Sequence, residues 1–261
     1  MRSRLIVSLS LAALIAAGTL VRAVTNGQPD GNAHPYVGVA IQFIPDMPGF
    51  VFVCSGSALS STVFLTAAHC FDPNEPVFVA YKSGPPLVLA TDFTPGTFHP
   101  HPDWCLGCGP GLPGFDTHDV AVITLNVPAN PGGVAVLPAP GLVDALPMKA
   151  DVDIVGYGVQ GFIRGGGPPQ EIFLFTRFFA PSSLVASNHV QSGEFIKLTA
   201  NPAKGKGGTC FGDSGGPNLL GDTNVVLAVN SYVTNGNCSG VTYSNRVDVP
   251  DILAFITSFL I

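Results

Sequence analysis

The chain has 261 residues, 46% hydrophobic and 11% charged, with 31 Gly, 24 Pro and a formal net charge of −6. It is long enough to bury a large core, and its density of turn residues suits an all-β protein of one or two domains. An acidic balance without runs of Lys and Arg argues against nucleic acid as a partner, because phosphate binding needs clustered cations.

In chain order, Arg2 and Arg4 precede an apolar run from Leu5 to Leu20, and Val21-Arg22-Ala23 forms a small-x-small pattern. This reads as a secretory signal over residues 1–23; the alternative is an uncleaved membrane anchor, for which the run is slightly short. Removing those 23 residues, three of them Arg and none acidic, leaves 238 residues, a charge of −9 and eight Lys plus Arg. No membrane contact is expected after cleavage. An exported chain meets an oxidising compartment, and the six cysteines (Cys54, Cys70, Cys105, Cys108, Cys210, Cys238) are compatible with three disulfides whose pairing the residues alone leave open.

From Val24 onward short apolar runs alternate with Gly, Pro, Asn and Asp, predicting strands at 36–44, 50–54, 57–59, 63–66, 77–81, 87–90 and 120–125. Ala129-Asn130-Pro131-Gly132-Gly133 breaks the pattern, and the stretch to Pro140 reads as a crossing between two halves, residues 24–137 and 138–261. Strands are predicted in the second half at 152–156, 172–179, 194–199, 225–233 and 241–247. Gly165-Gly166-Gly167-Pro168-Pro169 reads as a mobile surface loop, with Arg164 a candidate nicking site. Ile252, Phe255, Ile256, Phe259 and Leu260 form one apolar stripe. They predict a terminal helix capped by Asp248 or Val249, with Pro250 in its first turn, packed on the second half.

The chemistry concentrates at Gly207-Gly208-Thr209-Cys210-Phe211-Gly212-Asp213-Ser214-Gly215-Gly216-Pro217, where glycines on both sides leave the Ser214 hydroxyl open. A serine becomes a nucleophile only with a base to take its proton and donors for the oxyanion, and the N–H groups of Gly212 and Ser214 are candidates for the latter. Gly212-Asp213-Ser214-Gly215-Gly216 also fits the G-x-S-x-G elbow of α/β-hydrolases, in which the histidine follows the serine. All six histidines precede Ser214, which excludes that order. His69 ends the strand-like Val63-Phe64-Leu65-Thr66, and Asp119 opens the apolar Val120-Ala121-Val122-Ile123, where a carboxylate needs a hydrogen-bonding partner. In this reading Asp119 orients His69 and His69 takes the Ser214 proton; Asp116 is the rival acid.

Thr66-Ala67-Ala68-His69-Cys70, Asp119-Val120-Ala121-Val122 and Gly212-Asp213-Ser214-Gly215-Gly216-Pro217, in that order, resemble the motifs of the trypsin and chymotrypsin family of serine proteases. The likeness extends over nearly all of 24–261, through Gly156-Tyr157-Gly158, Ser231-Tyr232-Val233 and the terminal helix. It implies two packed six-stranded antiparallel β-barrels with a C-terminal helix, a cleft between them, and endopeptidase activity without metal or cofactor. It implies the disulfides Cys54–Cys70 and Cys210–Cys238, which leaves Cys105 with Cys108. It also implies that a freed Val24 amine pairs with Asp213. For the primary pocket it points to Gly208 at the base with Thr209 beside it, Phe211, the wall Ser231-Tyr232-Val233, and Val241. With no carboxylate there, cleavage after Arg or Lys is disfavoured, and two valines predict small to medium apolar side chains.

Cys105-Leu106-Gly107-Cys108 departs from the family pattern. With His99, His101, Asp103 and His118 nearby, a zinc site or a redox pair competes with a local disulfide. Asp72, Asn74 and Glu75 do not match the family's calcium loop. The resulting expectation is a secreted, monomeric serine endopeptidase acting on proteins or peptides. A catalytically inactive binding protein on the same scaffold, or a protease with a wider chymotrypsin-like pocket, is the alternative.

Overall fold

The computed structural model describes residues 23–109, 115–163, 170–186 and 193–260. The signal-like segment and the Arg164–Pro169 stretch therefore lie outside the described residues.

Six antiparallel strands form a first closed barrel: β1 (Val37–Phe43), β2 (Val51–Ala58), β3 (Val63–Thr66), β4 (Val77–Ala80), β5 (Thr94–Pro100) and β6 (Ala121–Leu125), in the order β1-β2-β3-β6-β5-β4. The two strands predicted at 50–54 and 57–59 are one, β2, paired with β1 from Val37 opposite Ser57 to Phe43 opposite Val51. Gly56 keeps the ladder continuous, since a Cβ there would run into the Phe64 ring and the Leu65 carbonyl. The stretch predicted as a strand at 87–90 instead leads into a helical turn, Leu89–Asp92. The missed strand, β5, carries Pro95 and Pro100 at its ends, which mask its strand character in the sequence.

A second set comprises β7 (Asp151–Gly156), β8 (Phe178–Ala186), β9 (Phe195–Ala200), β10 (Pro217–Leu220), β11 (Val226–Val233) and β12 (Gly240–Arg246). They run β8-β7-β10-β11-β12-β9, and pairing of β8 with β9 closes the second six-stranded barrel. The strand predicted at 172–179 separates into a short strand, Gln170–Ile172, and the start of β8. No strand is predicted where β10 forms, because its opening Pro217 reads as part of the serine turn.

The barrels meet across one apolar cluster that includes Val37, Val39 and Val120 from the first and Val155, Leu219 and Val229 from the second. Polar groups pin the seam as well. Arg177 is fully buried, bonds Asp30 at 2.7 Å, and donates to the carbonyls of Val37 and Tyr81 in the first barrel. A buried guanidinium is tolerated here because the Asp30 charge and several acceptors replace its water. The crossing segment also bonds both sides: Ala135 N–H donates to Ala58 and Val136 N–H to Asn224.

The terminal helix, α1 (Pro250–Thr257), has Val249 as its N-cap residue and Pro in its first turn, and buries Ile252 and Ile256. Its place differs from the expectation. Phe255 meets His101 and Phe259 meets His99, both from the first barrel, while Ile252 and Ile256 join the cluster shared by the two. Leaving β12 through Val247, the chain returns to the seam because that is where unpaired apolar surface from both barrels converges. Among the described residues no helix is long and apolar enough to cross a membrane.

Candidate active site

His69 lies in a short 3-10 turn, Ala68–Cys70, directly after β3, and the disulfide Cys54–Cys70 ties that turn to β2. Closing a loop of this size is worth about 3 kcal/mol in the chain-entropy model. Ala67 and Ala68 are fully buried, so small side chains let the turn sit tightly against the barrel. Asp119 precedes β6 and is fully buried; His118 before it takes a left-handed backbone at φ 53°, which turns the chain from the exposed hairpin into the core.

The Asp119 carboxylate receives three bonds. Its Oδ1 accepts from the His69 backbone N–H at 2.9 Å, and its Oδ2 lies 2.8 Å from His69 Nδ1 and accepts from Ser231 Oγ at 2.5 Å. Burial alone pushes this carboxyl up, but the charge and hydrogen bonds of His69, together with the Ser231 hydroxyl, outweigh it and hold the group below the ordinary carboxylate range. For His69, burial lowers the pKa, while the charge and hydrogen bond of Asp119 and the charge of Asp116 reverse that and raise it above the ordinary imidazole value. An imidazole bonded this way through Nδ1 has Nε2 left to accept a proton.

Ser214 sits in the turn before β10. Gly212 and Gly215 on either side take φ of +90° and +77°, a conformation that favours glycine. A Cβ on Gly215 would collide with Thr66 Oγ1 and with the backbone of Ser55 and Ala67, so the turn packs directly on the histidine-bearing element. Ser55, which sequence reasoning missed, joins the barrels here: its N–H donates to the Ser214 carbonyl, its Oγ donates to the Gly212 carbonyl, and it accepts from the Tyr157 N–H. Among the described residues the N–H groups of Gly212 and Ser214 donate to no other protein group.

His69 and Ser214 line one cavity of about 240 Å³ together with Thr209, Cys210, Phe211, Asn230, Ser231, Tyr232 and Val233. No hydrogen bond joins the two side chains among the described residues; such bonds are often long without substrate. Two expected pocket residues are absent from this lining. A Cβ on Gly208 would meet Ala200 and Thr242, and Val241 pairs with Thr199 on β9. Thr209, also expected in the pocket, lines the cavity, and its buried hydroxyl has no hydrogen-bond partner among the described residues. Ser231, expected in the pocket wall, lines the cavity and also bonds Asp119, a contact not legible in the sequence because the two are separated by 112 positions.

Asp213 is fully buried, accepting from the N–H groups of Gly158 and Cys210 at 2.8 and 2.9 Å. Val24 lies buried in the second barrel's core cluster and its nitrogen is a peptide amide, so no ion pair with Asp213 exists in the uncleaved chain. The disulfides are Cys54–Cys70, Cys105–Cys108 and Cys210–Cys238. Cys105 and Cys108 bond each other, so they offer no thiolates to zinc. His99 instead bonds Thr124, and His101 stacks on His118, which bonds Asp251 of α1. Asp116, the rival acid, bonds the Gly107 N–H at 2.7 Å, yet its carboxylate lies within 4.8 Å of ligating atoms of both His69 and Asp119.

Two closed six-stranded barrels, with His69, Asp119 and Ser214 at their cleft, define the chymotrypsin fold. The sequence model of the trypsin family matches residues 24–256, and the chain belongs to that family. Among solved structures it is similar to HL collagenase, at 18% identity with a TM-score of 0.67 over 90% of this chain and 98% of that one. A structure of GrC gives 18% identity and a TM-score of 0.68 over the same shares. No curated protein matches the sequence.

Proposed function

We propose that the chain is a secreted serine endopeptidase in which Ser214 is the nucleophile, His69 the general base and then acid, and Asp119 the group that orients His69. The Gly212 and Ser214 N–H groups would bind the oxyanion. The observation that carries this is the doubly bonded Asp119–His69 pair opening onto the same cavity as Ser214. Attack of Ser214 Oγ on the peptide carbonyl passes its proton to His69; collapse expels the amine, which takes that proton, and water then releases the acyl group. In this reading residues 1–23 are a signal, residues 24–137 and 138–261 are the two barrel domains, and the mature protein is a monomer acting on protein or peptide substrates. Labelling with an active-site serine probe, with Ser214→Ala as control, tests it: equal labelling of both, or none of either, would favour an inactive binding protein.

Among the described residues no Asp, Glu, Lys or Arg lines the cavity, which supports an uncharged residue before the scissile bond. Val233 on its wall favours Ala or Val. A second reading, a wider pocket for Phe or Leu, is supported by Val241 lying outside the lining. Peptides differing only at that residue separate the two through kcat/KM. Cleavage ahead of Val24 would supply an ammonium for Asp213, and N-terminal sequencing of active protein tests that step.

A further inference from the structure

Cys105-Leu106-Gly107-Cys108 is the cysteine pair that departs from the family pattern, and the proteolytic reading gives it no role. Its surroundings differ from those of the other two disulfides. Cys54, Cys70, Cys210 and Cys238 are all buried, whereas Cys108 is exposed, Cys105 is half-buried and Leu106 between them is 74% exposed. The bond spans 3 positions, against 16 and 28 for the others. A loop that short restrains little of the unfolded chain, so this bond contributes least to holding the fold. The arms Cys105–Gly109 and Phe115–Thr117 are also joined by their own ladder, with Cys105 opposite Thr117 and Gly109 opposite Phe115. Opening the bond therefore frees the turn without unfastening either barrel.

What the turn holds lies next to the triad. The Gly107 N–H, inside the clip, donates to an Asp116 oxygen at 2.7 Å, and Gly107 takes a left-handed backbone at φ 69°. The Asp116 carboxylate lies within 4.8 Å of ligating atoms of His69 and Asp119, and its charge acts on His69. A short path thus runs from an exposed sulfur to the general base: Cys108, Gly107, Asp116, His69. We propose that Cys105–Cys108 is a thiol–disulfide exchange site through which a reducing dithiol regulates the endopeptidase. This rests on the proteolytic reading above, because what is regulated is the readiness of His69 to take a proton. A thiolate of the dithiol attacks the exposed Cys108 Sγ, the bond to Cys105 breaks, and Cys105 leaves as a thiolate that takes a proton. The second thiol of the reductant then attacks the mixed disulfide and releases Cys108. Two electrons and two protons end on the two cysteines, and the dithiol is oxidised to its own disulfide. In the reduced turn Gly107 is no longer fixed and Asp116 loses its anchor. Its charge is then no longer held against His69, so the acid limb of kcat/KM moves to lower pH.

The test equilibrates the native protein in buffers of graded reduced to oxidised dithiothreitol. One aliquot is alkylated and its cysteines mapped by peptide mass spectrometry; another gives kcat/KM for a neutral peptide against pH. Cys105 and Cys108 should be alkylated at a reduced-to-oxidised ratio about tenfold or more below the one that opens the buried disulfides. The acid limb should shift to lower pH in that sample and return on reoxidation. Cys105→Ser with Cys108→Ser should fix the limb at its reduced position and abolish the response. Asp116→Asn should keep the exchange and lose its effect on the limb. Opening of all three disulfides together, or of a buried one first, overturns the inference. So does an unchanged limb when Cys105 and Cys108 are fully reduced and Ser214 still takes the serine probe, a result that leaves the protease standing. No serine labelling in either redox form removes the proteolytic reading and this regulation with it.

Discussion

Asp119 and Asp213 are both fully buried near the same cleft, yet their carboxyls shift in opposite directions. Asp119, beside a group that can carry positive charge, is held below the ordinary range, whereas burial pushes Asp213 up to about 7 against the pull of two backbone N–H bonds. Equal burial thus has unequal consequences, because desolvation is offset at one site by a charge and at the other only by dipoles. Asp119 is suited to a permanent anionic role. Asp213 has no cationic partner among the described residues of the uncleaved chain.

The largest expected effect comes from breaking the compensated side. Asp119→Asn should keep the fold but disturb the tautomer of His69, lowering kcat by about 10⁴-fold while leaving KM for a neutral peptide little changed. Breaking the other side should appear in stability. Between the unfolded carboxylate value of 3.8 and about 7, folded Asp213 holds a proton that the unfolded chain has lost, so stability falls as pH rises through that window. Asp213→Asn in the uncleaved chain should remove that slope, a change on the order of a few kcal/mol between pH 4 and 8 by denaturant titration. If the Val24 amine pairs with Asp213 after cleavage, the cleaved wild type should lose most of the slope as well; an identical slope before and after cleavage would rule the pairing out.

Smaller changes sharpen the comparison. Ser231→Ala removes one of the bonds to Asp119 and should lower kcat/KM by roughly tenfold, the scale of one hydrogen bond to a charged group. The smallest effect concerns pH. His69 must be neutral to act as base, and its raised pKa puts the acid limb of kcat/KM above pH 6.5. Removing the negative charge in Asp116→Asn lowers that pKa, so the limb should move to lower pH, a modest screened interaction.

Much of the barrel scaffold is legible because half-buried strands alternate and turns carry Gly, Pro and Asn; β1, β3 and β4 fall within about a residue of their expected bounds. The failures are local conflicts that tertiary contacts override. Ser55-Gly56 looks like a turn but continues β2, since only a residue without Cβ fits against Phe64. Pro95 and Pro217 look like breakers yet lie at the start of β5 and β10, as the second and first residue respectively. The short His, Asp and Ser motifs can be named from the sequence because each sits where local pattern and polar chemistry disagree.

By itself, the sequence determined the two-half, strand-rich organisation and the order His69, Asp119, Ser214, because periodicity, turn chemistry and composition act over a few residues; the expectation of an uncharged pocket came only from the family resemblance. What lines the cavity was decided by the tertiary structure, which removed Gly208 and Val241 and brought in Asn230. So were the bond of Ser231 to Asp119, the cross-barrel role of Ser55, the contact of α1 with the first barrel, and the approach of Asp116 to His69. Each depends on strand register and barrel closure, which join residues across long stretches of chain, and no short-range pattern records which groups will meet there.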